Sequence, residues 1–286
     1  MAETPVSVVV LTFNEEINLE SCLASVKDWA SEVVLVDSYS TDGTLSIAGR
    51  YGASVYQNKF MDYSSQRNWA LRNIPYKNDW ILFLDADEYI TDDLKEEILR
   101  RIPNLPVGIS GVYLKRRLIW MGKWIKHGGV YPLYLLRLVR HRNAHCNPRP
   151  VNEHLEVDGE TVMFNHDIVH DDRRPLSQWT AKHNRYAYLE AHELLQSENR
   201  RRNGEADPMA RLSGGQAERK RWIRERIWNP LMPPLVRPFI WFIYRYFILV
   251  GFLDGVQGFV YHFLQGLWYT FLTDVYWLEM KSKSKD

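Results

Sequence analysis

Asp85 and Asp87, two carboxylates spaced i, i+2 in the stretch Trp80-Ile81-Leu82-Phe83-Leu84-Asp85-Ala86-Asp87-Glu88, are the residues of this chain best placed to do chemistry. Along an extended backbone both fall on one side, so the pair can face one hard cation or a phosphate-bound metal. The five apolar residues before them read as a strand buried on both faces. Open α/β sheets bind ligands just beyond such carboxyl ends. The plainer reading of the same acids is a cap on the helix that follows.

The elements that must position this pair can be read from the first hundred residues. Val6 to Leu11 and Val33 to Val36 are β-branched, strand-like runs, the second closed by Asp37. Ala53 to Gln57 reads as a third strand and Trp80 to Leu84 as the fourth. Between them lie helical patterns through Val26, to about Arg50, and over Ser64 to Asn73, with Asn14 as a candidate cap and Asp42 as another. Strands alternating with helices at this spacing predict right-handed crossovers and a mostly parallel, Rossmann-like sheet with α-helices on both faces. After Gly108 the rhythm changes. Strand-like pieces at Val112 to Leu118, Leu133 to Val139 and Thr161 to Phe164 predict a mixed sheet with long loops, followed by a helix from about Leu176 to Leu195. The expected organisation is a nucleotide-binding half over 1–107, an acceptor-side half over 108–196, a charged linker over 197–234 and a helical tail over 235–286.

Composition narrows the class. Lys+Arg at 36 against Asp+Glu at 35 leave a net charge of +1, which gives no nucleic-acid signature. Two cysteines make no metal or disulfide framework and fit a reducing cytoplasm. The apolar run from Val6 to Phe13 breaks at Asn14-Glu15-Glu16, so it is expected to be a first strand and not a signal peptide. Aromatics, at 13% of residues with eleven Trp, crowd into the last fifty positions, where Arg237, Arg245, Asp254 and Asp274 interrupt most windows long enough to span a bilayer. Amphipathic aromatic helices that dip into one leaflet are expected there, with a core or dimer-forming hairpin as the alternative.

Taken in order, Thr12-Phe13-Asn14-Glu15, Asp37-Ser38-Tyr39-Ser40-Thr41-Asp42-Gly43-Thr44 and Asp85-Ala86-Asp87-Glu88 resemble glycosyltransferase family 2, whose fold is GT-A. The resemblance covers roughly residues 5 to 195. Gln66-Arg67-Asn68 and Gly251-Phe252-Leu253-Asp254-Gly255 are similar to the branch of lipopolysaccharide inner-core β-1,4-glucosyltransferases. It implies that Thr12, Asn14 and Glu15 hold a nucleotide, that Asp37 accepts from uracil or its ribose, that Asp85 and Ala86 lie near the ribose, and that Asp87 holds Mg²⁺ or Mn²⁺ against the diphosphate. A late histidine often joins the metal; His170 fits, with His166 as its rival. Arg67 would reach the diphosphate, and Gly128 and Gly129 would line a loop facing donor and acceptor. The family's base lies in a short acidic motif, for which Val151-Asn152-Glu153-His154 stands here, with His154 in place of the usual second acid. Glu153 is the expected base, with Asp171 or Asp172 as rivals.

The resulting expectation is an inverting transferase, moving a hexose from a UDP-sugar to a hydroxyl of an envelope glycolipid or lipid-linked saccharide. Peripheral contact with the cytoplasmic face of the inner membrane would come through the tail, and homo-oligomerisation is compatible with it. Lys115-Arg116-Arg117 and Arg137, Arg140 and Arg142 would meet an anionic acceptor. Transfer to polyprenyl phosphate is the alternative, in which no base is needed, and a non-catalytic, membrane-docked nucleotide-sugar binder is a second. A nucleotidyltransferase would require a phosphate-gripping loop after the first strand, where residues 12 to 16 offer acids instead.

Overall fold

The computed structural model describes residues 4–147, 154–204, 222–223 and 231–283. The chain resolves into two compact units, one of Met1–Lys126 with Val130–Arg174, the other of His127–Gly129 with Pro175–Asp286.

The first unit is built on one nine-stranded sheet with path order β3-β2-β1-β4-β8-β6-β11-β5, to which β7 adds at β6. β1 (Thr4–Thr12), β2 (Ala30–Asp37), β3 (Ser54–Gln57) and β4 (Trp80–Asp85) are parallel, joined through α1 (Leu19–Val26), α2 (Thr44–Arg50) and α3 (Tyr63–Asn73). The β-branched runs are sandwiched: Val8, Val10, Leu35 and Leu82 pack into one core with α1 and α4 (Asp92–Arg101), whereas Val9, Val34, Ile81 and Phe83 pack into another with α3. Helices therefore cover both faces, as expected of strands that are apolar on both sides. α1 buries Leu19, Cys22, Leu23 and Val26 at helical spacing. Asp62 caps α3 by accepting from the Ser65 N–H at 2.7 Å, and Thr91 caps α4 by accepting from Leu94 at 3.2 Å.

The second half of this sheet is mixed. β8 (Leu133–Arg140) inserts antiparallel between β4 and β6 (Ile109–Trp120), β11 (Glu160–His170) runs parallel to β6, and β5 (Glu88–Ile90) pairs antiparallel with β11. The short β7 (Lys123–Ile125) hairpins onto β6, and β9 (Ala144–Cys146) with β10 (Leu155–Val157) forms a separate ribbon. The two expected halves thus share one sheet.

In the second unit α5 (Leu176–Arg202) packs along α8 (Tyr269–Lys283), tied by Tyr269 to Glu190 at 2.6 Å and Lys281 to Glu198 at 2.8 Å. The predicted helix end at Leu195 falls two turns short, so the expected linker begins inside α5. Most of the rest of 197–234 lies outside the described residues. α6 (Arg237–Ile243) and α7 (Gly255–Tyr261) complete the unit, each continued by a π-helical turn. Polarity here is inverted. Arg245, Asp254, His262 and Asp274 are buried, while Phe247, Ile248, Phe252, Leu253 and Val256 are exposed. Arg237 closes an ion pair on Asp274. Among the described residues no single helix is long and apolar enough to cross a membrane; the pair Arg237–Ile248 and Gly251–Lys283, bent by 71°, meets that length and composition together.

Candidate active site

The ends of β1 and β2 carry two loops that are stitched to one another. Asn14 donates its backbone N–H to Ser40 Oγ at 2.9 Å and accepts from Thr41 N–H at 2.8 Å; Glu15 N–H reaches Thr44 Oγ1 at 2.8 Å; and Glu16 accepts from Gly43 N–H at 2.8 Å. Asn14, at φ 53°, therefore clamps the second loop and does not cap α1, whose N-cap is Asn18. Asp42 accepts from Thr44 N–H at 3.0 Å at the start of α2. Asp37 is fully buried and accepts from Thr12 at 3.1 Å, from the Ser40 N–H at 2.9 Å and from Gln57 at 3.3 Å. It fixes the base of this loop pair. Phe13 and Tyr39, which motif reading passed over, stand exposed beside it, Tyr39 at φ 62°. An aromatic residue one step beyond a strand end is the sequence signal that points to them.

At the end of β4 the backbone turns at Ala86, which is buried, so Asp85 and Asp87 are not held along one extended strand as expected. Their carboxylates have different partners. Asp85 is gripped by Arg137, at 2.6 Å, and by Arg67, at 3.0 Å. Burial pushes this carboxyl up, but Arg137 and Arg67 outweigh it and hold it well below the usual carboxylate range. Arg67 and Arg137, read from sequence as phosphate- or acceptor-facing, are buried instead, because Asp85 and the buried Glu88 need countercharge. Arg140 likewise pairs with Asp79, and Lys115 and Arg117 with Asp167. Glu88 closes the Asp85-Ala86-Asp87-Glu88 motif, but its burial and its pairing with Arg137 carry no sequence pattern.

Asp87 faces His170, Oδ1 to Nδ1 at 3.3 Å, and Arg174 approaches its other oxygen at 3.4 Å. The register that pairs β5 with β11 sets His170 opposite Glu88, next to Asp87, whereas His166 turns to Glu97 at 2.8 Å. Arg174 also contacts Glu15 at 3.1 Å and Asp172 at 2.8 Å. Burial raises the Asp172 carboxyl, but Arg174 outweighs it and holds it below its ordinary value. A carboxylate so engaged is a poor proton acceptor, which weakens Asp172 as a base. Asp171 pairs with Arg173 at 3.1 Å. Glu153 lies outside the described residues, and His154 opens the segment that leads into β10. Gly128 and Gly129 fall in the second unit, where Gly128 donates to Leu249 O at 2.8 Å and accepts from Arg245 at 2.8 Å. At φ +68°, a Cβ on Gly128 would meet the His262 ring at 2.1 Å, so this position requires glycine.

Among the described residues no group of three or more His, Cys, Asp or Glu side chains is arranged to hold a metal by itself. Asp87 with His170 is a two-ligand set, which suits Mg²⁺ or Mn²⁺ completed by substrate phosphates and water. Burial pulls His170 down, yet Asp87 outweighs it and holds the imidazole above its ordinary value. A group whose pKa is raised by folding stabilises fully below its unfolded value, and that contribution is lost as pH rises through the folded one. The metal-free protein is therefore expected to lose stability as pH climbs from about 6.5. Denaturant unfolding across a pH series checks this, and His170→Asn is expected to flatten the dependence.

A family model described as Glycosyl transferase family 2 matches residues 7–147. An uncharacterized glycosyltransferase of Rickettsia conorii is 27% identical over 255 residues, 89% of this chain and 83% of that one; an uncharacterized glycosyltransferase of Rickettsia bellii is 42% identical over 93 residues, which span 31% of its length. The lipopolysaccharide core biosynthesis glycosyltransferase LpsC of Rhizobium meliloti is 27% identical over 205 residues, 69% of this chain and 74% of that relative. Among solved structures, glucosyl-3-phosphoglycerate synthase from Mycobacterium tuberculosis, in complex with Mn²⁺, UDP and glucosyl-3-phosphoglycerate, is 17% identical with a TM-score of 0.45, covering 73% of this chain and 83% of that one.

Proposed function

From the match of residues 7–147 to the family model described as Glycosyl transferase family 2, we propose that this chain moves a hexose, glucose first among candidates, from a UDP-sugar to a hydroxyl of an envelope glycolipid or lipid-linked saccharide such as lipopolysaccharide core. The observation that carries the reading is the convergence of Asp87, His170, Glu15, Asp172 and Arg174 beyond the end of β4, beside the loop pair that Asp37 anchors. Similarity to a core-biosynthesis relative supports the acceptor class.

In this reading Phe13, Tyr39 and the stitched loops over Thr12, Asn14 and Glu15 receive the nucleoside, with Asp37 setting their shape. Asp85, fixed by Arg67 and Arg137, orients the turn that presents Ala86 and Asp87. Asp87 and His170 would hold Mg²⁺ or Mn²⁺, which would supply positive charge against the leaving diphosphate. Glu153 takes the proton from the acceptor hydroxyl on the face opposite the leaving group, so the anomeric configuration inverts. Incubation with labelled UDP-glucose and core glycolipid tests this: a β-linked product, lost in Glu153→Gln with donor binding intact, is expected. Label carried only on polyprenyl phosphate, unaffected by that substitution, would overturn it.

The inverted polarity of the second unit fits a lipid surround, in which apolar side chains face outward and polar groups pair inside. We place this unit in one leaflet at the cytoplasmic face of the inner membrane. Replacing Phe247, Phe252 and Val256 together by Ser is expected to weaken flotation with anionic vesicles by about tenfold or more. Unchanged flotation would contradict the assignment, and a solution dimer without vesicle binding would give the same face to a second copy of the chain.

A further inference from the structure

We propose that Arg174 is the internal counter-cation of the donor site. In the donor-free protein its guanidinium opposes a divalent cation at Asp87; with donor bound, it gives up Asp87 and takes the diphosphate. This rests on the reading of Asp87 and His170 as the metal pair.

Three features single Arg174 out. Its contacts reach three carboxylates from three separate segments: Glu15 after β1, Asp87 after β4 and Asp172 after β11. One planar fork thus neutralises much of the acid that gathers at these strand ends.

The contacts are also unequal. Toward Asp172 the fork is short and two-pronged, Nε to Oδ1 at 2.8 Å and Nη2 to Oδ2 at 2.8 Å, and the two residues stand two apart in the chain. Toward Asp87 the single approach is long, 3.4 Å, and falls on Oδ2, the oxygen that does not face His170. Arg174 can release Asp87 while keeping Asp172, and the two residues can shift as one.

Finally, the Arg174 side chain keeps 17% of its surface exposed and sits on irregular backbone between β11 and α5, so no strand or helix ladder fixes it. A guanidinium presents paired donors that match phosphate as well as carboxylate, so a diphosphate can replace Asp87 as a partner without leaving the charge unpaired. Asp87, relieved of the guanidinium, is then available to a cation together with His170. Arg174 in this role is a positioning residue that couples cation binding to nucleotide binding, and the coupling is reciprocal.

The test uses the full chain, with Mn²⁺ alone followed by electron paramagnetic resonance and UDP followed by calorimetry at saturating Mn²⁺. Arg174→Gln is expected to bind Mn²⁺ alone about tenfold more tightly than wild type and UDP about tenfold more weakly. Arg174→Lys keeps the charge and loses the fork, so its Mn²⁺ affinity should stay near wild type while UDP affinity falls; this variant also carries the test if the Gln variant does not fold. Mn²⁺ binding that is unchanged or weaker in Arg174→Gln, or weaker in Arg174→Lys, overturns the proposal alone. Equal Mn²⁺ binding by wild type and Asp87→Ala would instead remove the metal reading itself, and the proposal with it.

Discussion

Asp87→Ala is expected to lower UDP-sugar turnover by about a thousandfold or more, because it removes the anionic member of the two-ligand set and leaves His170 alone to hold a divalent cation. The fold should survive. Asp87 contributes its carboxylate to His170 and, at longer range, to Arg174, and Arg174 retains Asp172 and Glu15 without it. The backbone carbonyl of Asp87, which accepts from the Asp171 N–H at 2.9 Å, is untouched by the substitution. Calorimetry should show Mn²⁺ binding lost and UDP binding weakened, with a melting temperature close to wild type. Turnover within tenfold of wild type would mean that Asp87 is not the metal ligand.

The largest expected effect on stability comes from Arg137→Ala. Arg137 is buried, and its guanidinium serves Asp85 at 2.6 Å and Glu88 at 2.8 Å, the latter almost fully enclosed. Removing one partner of a buried pair strands the other charge; here Glu88 loses its guanidinium and Asp85 is left with Arg67, at a cost of about 3–5 kcal/mol. For a chain of this size that corresponds to a fall in melting temperature of roughly 10 °C. A pH signature should accompany it. Burial pushes the Glu88 carboxyl above its ordinary value even with Arg137 opposing it. Without the guanidinium Glu88 should take up a proton more readily on folding, so the deficit is expected to be smaller at pH 5 than at pH 8. Thermal unfolding at the two pH values checks both parts; an unchanged melting temperature would show that the pair contributes nothing net.

The parallel half of the sheet is readable from the chain because each of its strands is a short β-branched or apolar run closed by a polar turn, and each crossover helix shows its own spacing. Local pattern suffices there. The insertion of β8 between β4 and β6 is not readable, since it pairs residues 80–82 with 138–140 across a long separation. The same limit governs the site. Asp37, Asp85 and Asp87 announce themselves as acids at strand ends. What each carboxylate touches depends on Arg67, Arg137 and Arg174, which come from other segments; the first two read in sequence as phosphate- or acceptor-facing, and the third carries no motif. Burial converts the first two into the counterions of Asp85, and a register three strands away delivers His170, not His166, to Asp87. The tail illustrates the converse. Its aromatic composition is obvious, but that Arg245, Asp254 and Asp274 are buried while Phe247, Phe252 and Phe259 are exposed emerges only from the folded arrangement.

A UDP-sugar site completed by a divalent cation at Asp87 is put to the test by UDP release from a panel of UDP-hexoses with Mn²⁺ or Mg²⁺, by wild type and by Asp87→Ala. Release is expected to be selective for one sugar, to require the cation and to disappear in the variant. Release that is independent of the cation, or equal in the two proteins, would contradict it.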